Sequence, residues 1–278
     1  GVLKVDGKKV IEIVEKPPLG KEPSNLCVVG IYLLSKDFIK TLVDTPPEQY
    51  QLEKALTVFS QRNTVTYLEV KEDTVSLKYP WDILSIKNYL LKNIKRNISK
   101  TAKISKSAEL IGEVVVSENA NIMEGVRIKG SCFIGKNVTI GNNSLLRDGV
   151  VIEDGSSVGA FIEIKNTLFM KNSKAHSGFI GDSIVGQNSR VGAQFCSGNV
   201  RLDRKSVTVL IKEEKTDCGL KSLGTFIGDN VIIGIKSATM PGIIIGNNSI
   251  IGPSTTVISN VAEGTTYYTK FLEIVKKI

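Results

Sequence analysis

The chain has 278 residues, room for two domains or for one domain with an elongated repeat, and its 41% hydrophobic and 23% charged residues exclude wholesale disorder. No apolar run approaches the ~20 residues that cross a bilayer, so no membrane partner is expected, and a single histidine excludes a His-rich metal site. Cys27, Cys132, Cys196 and Cys218 show no metal spacing and read as reduced residues of a cytoplasmic protein, while a net charge of +8 favours anionic ligands.

Leu3-Lys4-Val5 and Val10–Val14 flank Asp6-Gly7, a hairpin signal. Cys27–Leu34 reads as a buried strand, Lys36–Val43 and Leu52–Ser60 as short helices, and Thr64–Val70 as a further strand. That alternation predicts a mixed α/β sheet. The opening GVLKVDGKKV has no Met and no signal-peptide layout and looks like a strand already under way, so residues 1–82 are expected to belong to a larger domain. Ile83–Lys95 carries Ile83, Ile86, Leu90, Leu91 and Ile94 at helical spacing. Asp82 before it is placed to cap the helix, and residues 83–96 are read as a linker. Lys87, Lys92, Lys95, Arg96, Lys100, Lys103 and Lys106, with no acid among them, read as a solvated helix face and linker; no nucleic-acid partner is expected.

From residue 97 the period becomes six. Ile98, Ile104, Leu110, Val116, Ile122, Ile128, Ile134, Ile140, Leu146, Ile152, Val158 and Ile164 are consecutive hexads. Ile227, Ile233, Thr239, Ile245, Ile251 and Val257 form a second train. Gly and Asn after many of them suit the positive φ of a sharp corner. One aliphatic per six residues, turned inward and stacked on the next coil, is the hexapeptide β-helix. Asn166–Ser177 and Gln194–Thr225 break the register and are expected to bulge as loops, the kind of excursion that carries function on a solenoid. The first holds His176.

SLLRDGVVIEDGSSVGAFIEIKN, HSGFIGDSIVG and GNVRLDRKSV resemble the acetyltransferase half of the bifunctional glucosamine-1-phosphate acetyltransferase / N-acetylglucosamine-1-phosphate uridylyltransferase family, in particular its archaeal sugar-1-phosphate nucleotidylyltransferase type. VEKP, SNLCVVGIY and PWD resemble the trailing segment of that family's nucleotidylyltransferase domain, whose Gly-rich triphosphate loop is absent here. The resemblance implies an α/β nucleotidylyltransferase remnant (1–82) and an all-β left-handed parallel β-helix (97–278), assembled as a homotrimer. It implies His176 as general base, Asn199 near the reacting amine, and Arg147, Lys165 and Lys205 on the sugar phosphate. Ala193, Ile235 and Pro253 fall on the acetyl-CoA site.

Phe179 stands where the family has Tyr, and Arg190 replaces an Asn near the sugar, so both are expected at the substrate. In the N-terminal region, Glu15 and Lys16 match the sugar and phosphate contacts, and Asp82 matches the aspartate that binds Mg²⁺. Val28 stands where relatives using N-acetylated sugars have Asn. The expected activity is acetyl transfer from acetyl-CoA to an amino-sugar 1-phosphate such as glucosamine-1-phosphate, in nucleotide-sugar synthesis. The alternative is a nucleotidylyltransferase, using UTP or dTTP, whose β-helix only oligomerises or regulates. A nucleoside triphosphate partner is expected only for a chain that has the triphosphate loop.

The physical chemistry agrees with these roles. A neutral imidazole can accept the amine proton as the nitrogen attacks the thioester. A guanidinium grips phosphate through a fork of donors, where an ammonium acts as a point charge. Cys196 has no second histidine to activate it and reads as a simple thiol.

Overall fold

A computed structural model describes residues 1–71, 76–272 and 274–276. The chain divides into two compact units, residues 1–74 and 75–278. The division falls eight residues before the expected domain boundary, and the helix read as a linker belongs to the second unit.

In the first unit, strands Val2–Asp6 and Lys9–Val14 form the expected hairpin around Gly7, whose φ of 57° suits the tight turn. Helices Lys36–Asp44 and Gln51–Arg62 pack on one another through Phe38, Ala55 and Leu56, with Phe38 edge-on to Phe59. The first is capped by Ser35, whose side chain accepts from the Phe38 N–H. The two further strands do not form. Cys27 and Thr66 each make only an isolated bridge, to Val2 and Lys9, and Ile31 and Leu33 stand 89% and 102% exposed. A run of β-branched and apolar residues needs a neighbouring strand for its backbone groups, and no further strand among the described residues reaches Cys27–Leu34.

The second unit is a left-handed parallel β-helix. Its short strands stack into three parallel sheets of nine, eight and eight strands. Where the stack is regular, each coil is three hexads, so Ile122 pairs with Ile140 and Ile140 with Val158, 18 residues apart each time. The inward hexad residues from Val116 to Ile164 are all essentially fully buried, and the first three, Ile98, Ile104 and Leu110, are more open at the end of the stack. Each such side chain contributes roughly 1.5–3 kcal/mol of burial. The corners turn through left-handed backbone carried chiefly by Asn and Asp, including Asn137, Asn143, Asn172, Asn188, Asn230 and Asn248, which tolerate that conformation at little cost.

The expected first excursion is not a loop. Between Val151 and Arg190 the coils continue with tighter corners. Val151 pairs with Leu168, Ile162 with Gly178 and Lys174 with Arg190, at spacings of 17, 16 and 16. Losing a residue or two from a coil breaks the hexad count without breaking the stack. His176 therefore sits at a coil corner. The second excursion is real but starts later. Phe195–Ser197 is still in the stack, and the chain leaves it only to return at Phe226, which pairs with Ile184. The excursion holds a hairpin, Thr208–Ile211 with Glu214–Asp217.

Helix Asp82–Leu91, shorter than the spacing predicts, and this hairpin cover the outside of one sheet. Trp81 and Leu84 from the helix region and Val207, Val209 and Leu223 from the excursion bury Leu168, Ile184 and Phe226. These three are outward neighbours of the inward residues Phe169, Val185 and Ile227. Asp82 is the first residue of the helix and not its cap; its Oδ2 accepts from the Lys78 and Tyr79 N–H groups at 2.7 Å, closing the turn before the helix.

Candidate functional site

The sheet containing Leu145–Arg147, Ile162–Lys165, Gly178–Gly181 and Phe195–Ser197 carries three of the expected residues, Arg147, Lys165 and Phe179, on its outer face, because strand alternation turns every second side chain outward. Its register places Leu145, Glu163, Phe179 and Cys196 in one outward row, and Arg147, Lys165 and Gly181 in the next. A side chain at Gly181 would begin 2.6 Å from the Phe179 ring and 2.9 Å from the Asn199 amide nitrogen. The bare backbone there lets both lie over the end of the row. Arg147, Lys165, Phe179 and Asn199, far apart in sequence, thus share one face.

Both cations have acidic partners. Arg147 donates Nε and NH2 to Glu163 Oε1 at 2.8 and 2.7 Å and NH1 to Asp148. Hydrogen bonding to Glu163 raises the Arg147 pKa above its ordinary value. Lys165 Nζ lies 3.2 Å from Asp182 Oδ2. Neither cation is used up: a guanidinium has five N–H groups and an ammonium three.

Asp148, Asn166 and Asp182 occupy one corner of successive coils, all with left-handed φ of 60, 46 and 51°; Asn166 N–H donates to Arg147 O and Asp182 N–H to Lys165 O. Their side chains connect the face to the helix. Asn166 Nδ2 donates to Asp182 Oδ1 at 2.8 Å, and Asn199 Nδ2 to Asp182 Oδ2 at 2.7 Å. On the helix side, Lys87 Nζ donates to Gly149 O, to Asn166 Oδ1 at 2.9 Å and to Asn88 Oδ1 at 2.8 Å. Lys87 is only 6% exposed, and burial pushes its ammonium down to about 8, with Cys132 and Asp182 opposing. It does not lie on a solvated face, as the basic run suggested. It occupies the buried stripe of the helix with Leu84 and Leu91, and that i, i+3, i+7 spacing was the available signal.

His176 is exposed at the next corner, where its backbone N–H donates to Val191 O at 3.0 Å. It opens on a cleft of about 640 Å³ lined also by Phe161, Phe179, Phe195 and Cys196. Below it the same corner repeats: Lys236 N–H donates to Ala193 O and Ser254 N–H to Ile235 O, each at 2.8 Å. Ala193, Ile235 and Pro253 thus form one column in register with Ser177, beside His176, with Ile235 53% exposed.

The remaining residues lie elsewhere. Arg190 is exposed on a different sheet, between Lys174 and Ile232. Lys205 is exposed in the excursion, its N–H donating to Asp203 Oδ1 at 3.2 Å. The Arg201 guanidinium beside Asp203 holds that carboxyl well below the usual carboxylate range. Glu15 and Lys16 belong to the first unit, where Glu15 pairs with the Gly1 amino group at 2.8 Å and Lys16 lies 5.6 Å from the Tyr50 ring centre. Among the described residues no group of three carboxylate, imidazole or thiol side chains is placed to hold a metal. Both Asp82 contacts, from the Lys78 and Tyr79 N–H groups, are made by Oδ2.

Comparison with known proteins agrees with this architecture. The model of the bacterial transferase hexapeptide (six repeats) matches residues 131–166 and 224–259. The chain is 34% identical over 281 residues to the bifunctional protein GlmU of Methanococcus aeolicus, covering 99% of this chain and 67% of that one. It is 30% identical over 269 residues to the bifunctional sugar-1-phosphate nucleotidylyltransferase/acetyltransferase of Sulfurisphaera tokodaii, covering 95% and 66%. A hexapeptide transferase family protein from Anaplasma phagocytophilum overlaps 62% of this chain and 87% of its own at 17% identity, with a TM-score of 0.36, too loose a superposition to bear on chemistry. The chain spans about two thirds of the length of the curated relatives it matches. It belongs to the bifunctional sugar-1-phosphate nucleotidylyltransferase/acetyltransferase family and carries that family's hexapeptide-repeat acyltransferase region.

Proposed function

We propose that this chain transfers the acetyl group of acetyl-CoA to the amine of an amino-sugar 1-phosphate. The observation that carries the reading is one outward face, bearing Arg147, Lys165, Phe179 and Asn199, that ends at the corner holding the only histidine. The sugar phosphate is held by the N–H groups of Arg147 and Lys165 that their carboxylate partners leave free. The amine nitrogen attacks the thioester carbonyl carbon, and an imidazole nitrogen of His176 takes the proton that the nitrogen loses. The C–S bond then breaks, and the departing thiolate receives that proton from the imidazolium. The Asn199 amide keeps one N–H free of Asp182 and is the side chain at hand for the oxyanion. Acetyl-CoA is read along the column below His176, with Ala193, Ile235 and Pro253 as its floor. Phe179 brings a ring and no hydroxyl, so it packs on the sugar or thioester and moves no proton.

Glu15 and Lys16 are assigned to a sugar phosphate handled by the nucleotidylyltransferase domain. No step is assigned to magnesium. A β-helix that only oligomerises is favoured by one observation: Arg147 and Lys165 are each already paired with carboxylates. Thiol release decides between the two. With acetyl-CoA and glucosamine-1-phosphate or galactosamine-1-phosphate, the acetyltransferase releases free thiol only when sugar is present. No release with either sugar, from a folded chain, rejects it.

A further inference from the structure

Asp182 is 3% exposed, and the reaction steps above leave it without a role. A carboxylate buried to this degree is costly unless paired and hydrogen-bonded, and its contacts form an ordered set. Oδ1 accepts from the Asn166 amide. Oδ2 accepts from both the Lys165 ammonium and the Asn199 amide. The last two lie on different coils, and Asn199 sits at the point where the chain leaves the stack for the long excursion. Asn166 in turn is held by Lys87 and Asn88 of the covering helix. The carboxylate therefore ties a strand end, a loop take-off and a helix to one another at a single corner.

We propose that Asp182 is the positioning residue for the phosphate end of the acetyl-transfer site. It sets where the Lys165 ammonium and the Asn199 amide point, and the Lys87–Asn166 pair fixes its own orientation. The inference rests on the acetyl-transfer reading for its kinetic consequence, but the hold on Lys165 can be read without turnover. A purely architectural role for residue 182, a residue that only has to adopt left-handed φ, makes a different prediction. Asparagine adopts that conformation at many corners of this chain, so Asp182→Asn keeps the corner and removes only the charge and one acceptor oxygen.

The test uses the full chain and Asp182→Asn, both verified as folded by circular dichroism and thermal melting. Acetic anhydride labelling at neutral pH, read by mass spectrometry, is expected to modify Lys165 several-fold faster in the variant, because the freed Nζ swings into solvent. Labelling of Lys171 and Lys174, exposed on the same stack, should stay unchanged. Equal labelling of Lys165 in the two proteins overturns the proposal whether or not the chain turns over. In the thiol-release assay, Asp182→Asn is expected to raise KM for the sugar phosphate about tenfold, the loss of one charge-assisted contact. KM for acetyl-CoA should be unaltered, and the same substitution should add less than about twofold in a Lys165→Gln background.

Full additivity of the two substitutions, or an equal rise in both KM values, contradicts the proposal. Absence of thiol release from the parent rejects the functional reading and leaves the labelling result to decide the position of Lys165. If Asp182→Asn does not fold, Asn166→Ser replaces it. Serine adopts the same corner conformation at Ser254, and loss of the orienting donor should shift the same two readouts in the same direction.

Discussion

Lys87 shows how far burial can change the meaning of a charged residue. Below about pH 8 its ammonium is charged in both the folded and unfolded chain, and the full cost of burying it stands. Between 8 and 10.5 the folded chain has released the proton while the unfolded chain still holds it, so stability rises with pH across that window. Compared with Lys87→Met, the parent's stability should be flat below pH 8 and climb toward pH 10 in denaturant titrations; a fall over that window contradicts the assignment. At pH 7 the Met variant should be about 1–3 kcal/mol less stable, because Gly149 O and Asn166 Oδ1 lose a donor. His176→Ala is a contrast. The ring is exposed and supports no packing, so thermal stability should stay within about 0.5 kcal/mol while sugar-dependent acetyl transfer falls by about 10²-fold or more; equal activity of the two proteins contradicts a base at that position.

The residues legible in the sequence were those with a periodic or chemical signature. The hexad residues and the lone histidine could be read directly, whereas Arg147 and Lys165 stood out only through the resemblance to the family. Asp182 could not, because its meaning depends on which corners meet, and Lys87 left only its spacing with Leu84 and Leu91 as a signal.

At the scale of elements, the stacked coil makes different demands on its inward and outward positions. Thr239 takes an inward hexad slot, and its buried Oγ1 has no hydrogen-bond partner among the described residues. Thr239→Val keeps the shape and removes the stranded hydroxyl, so it should raise stability by about 1 kcal/mol in chemical denaturation; a loss would mean the hydroxyl has a partner in solution. Gly181→Ala has a different signature. The new methyl meets the ends of Phe179 and Asn199 and not the backbone, so the fold should persist while acetyl transfer weakens several-fold. Unchanged kinetics contradict the placement of those two side chains in the site.

The sheet covered by helix Asp82–Leu91 also leaves a mark in the sequence. Leu168-Phe169, Ile184-Val185, Phe226-Ile227 and Ile244-Ile245 put an apolar residue immediately before the inward one, and on an isolated coil that neighbour would face water. The shortened coils are hidden for the opposite reason. A strict six-residue count treats a missing corner residue as the end of the stack, when the strands on either side still pair.

For the whole molecule, the same doublet recurs at Ile232-Ile233 and Ile250-Ile251, but here the outward members remain 50% and 45% exposed on a sheet that nothing among the described residues covers. The resemblance to the family implies a homotrimer, and we propose this open apolar column as the face that a neighbouring copy covers. Sedimentation should give three times the 30.2 kDa chain mass, and Ile232→Lys with Ile250→Lys should shift it toward monomer; a monomeric parent contradicts the trimer. No helix among the described residues is long and apolar enough to cross a membrane.

The central claim is that the His176 corner makes an N-acetyl bond on an amino-sugar 1-phosphate. Its most direct test is mass-spectrometric detection of the sugar product after incubating the chain with acetyl-CoA and glucosamine-1-phosphate or galactosamine-1-phosphate. A sugar phosphate heavier by one acetyl group is expected from the parent and not from His176→Ala. Unmodified sugar from a folded parent, or equal product from both proteins, would contradict it.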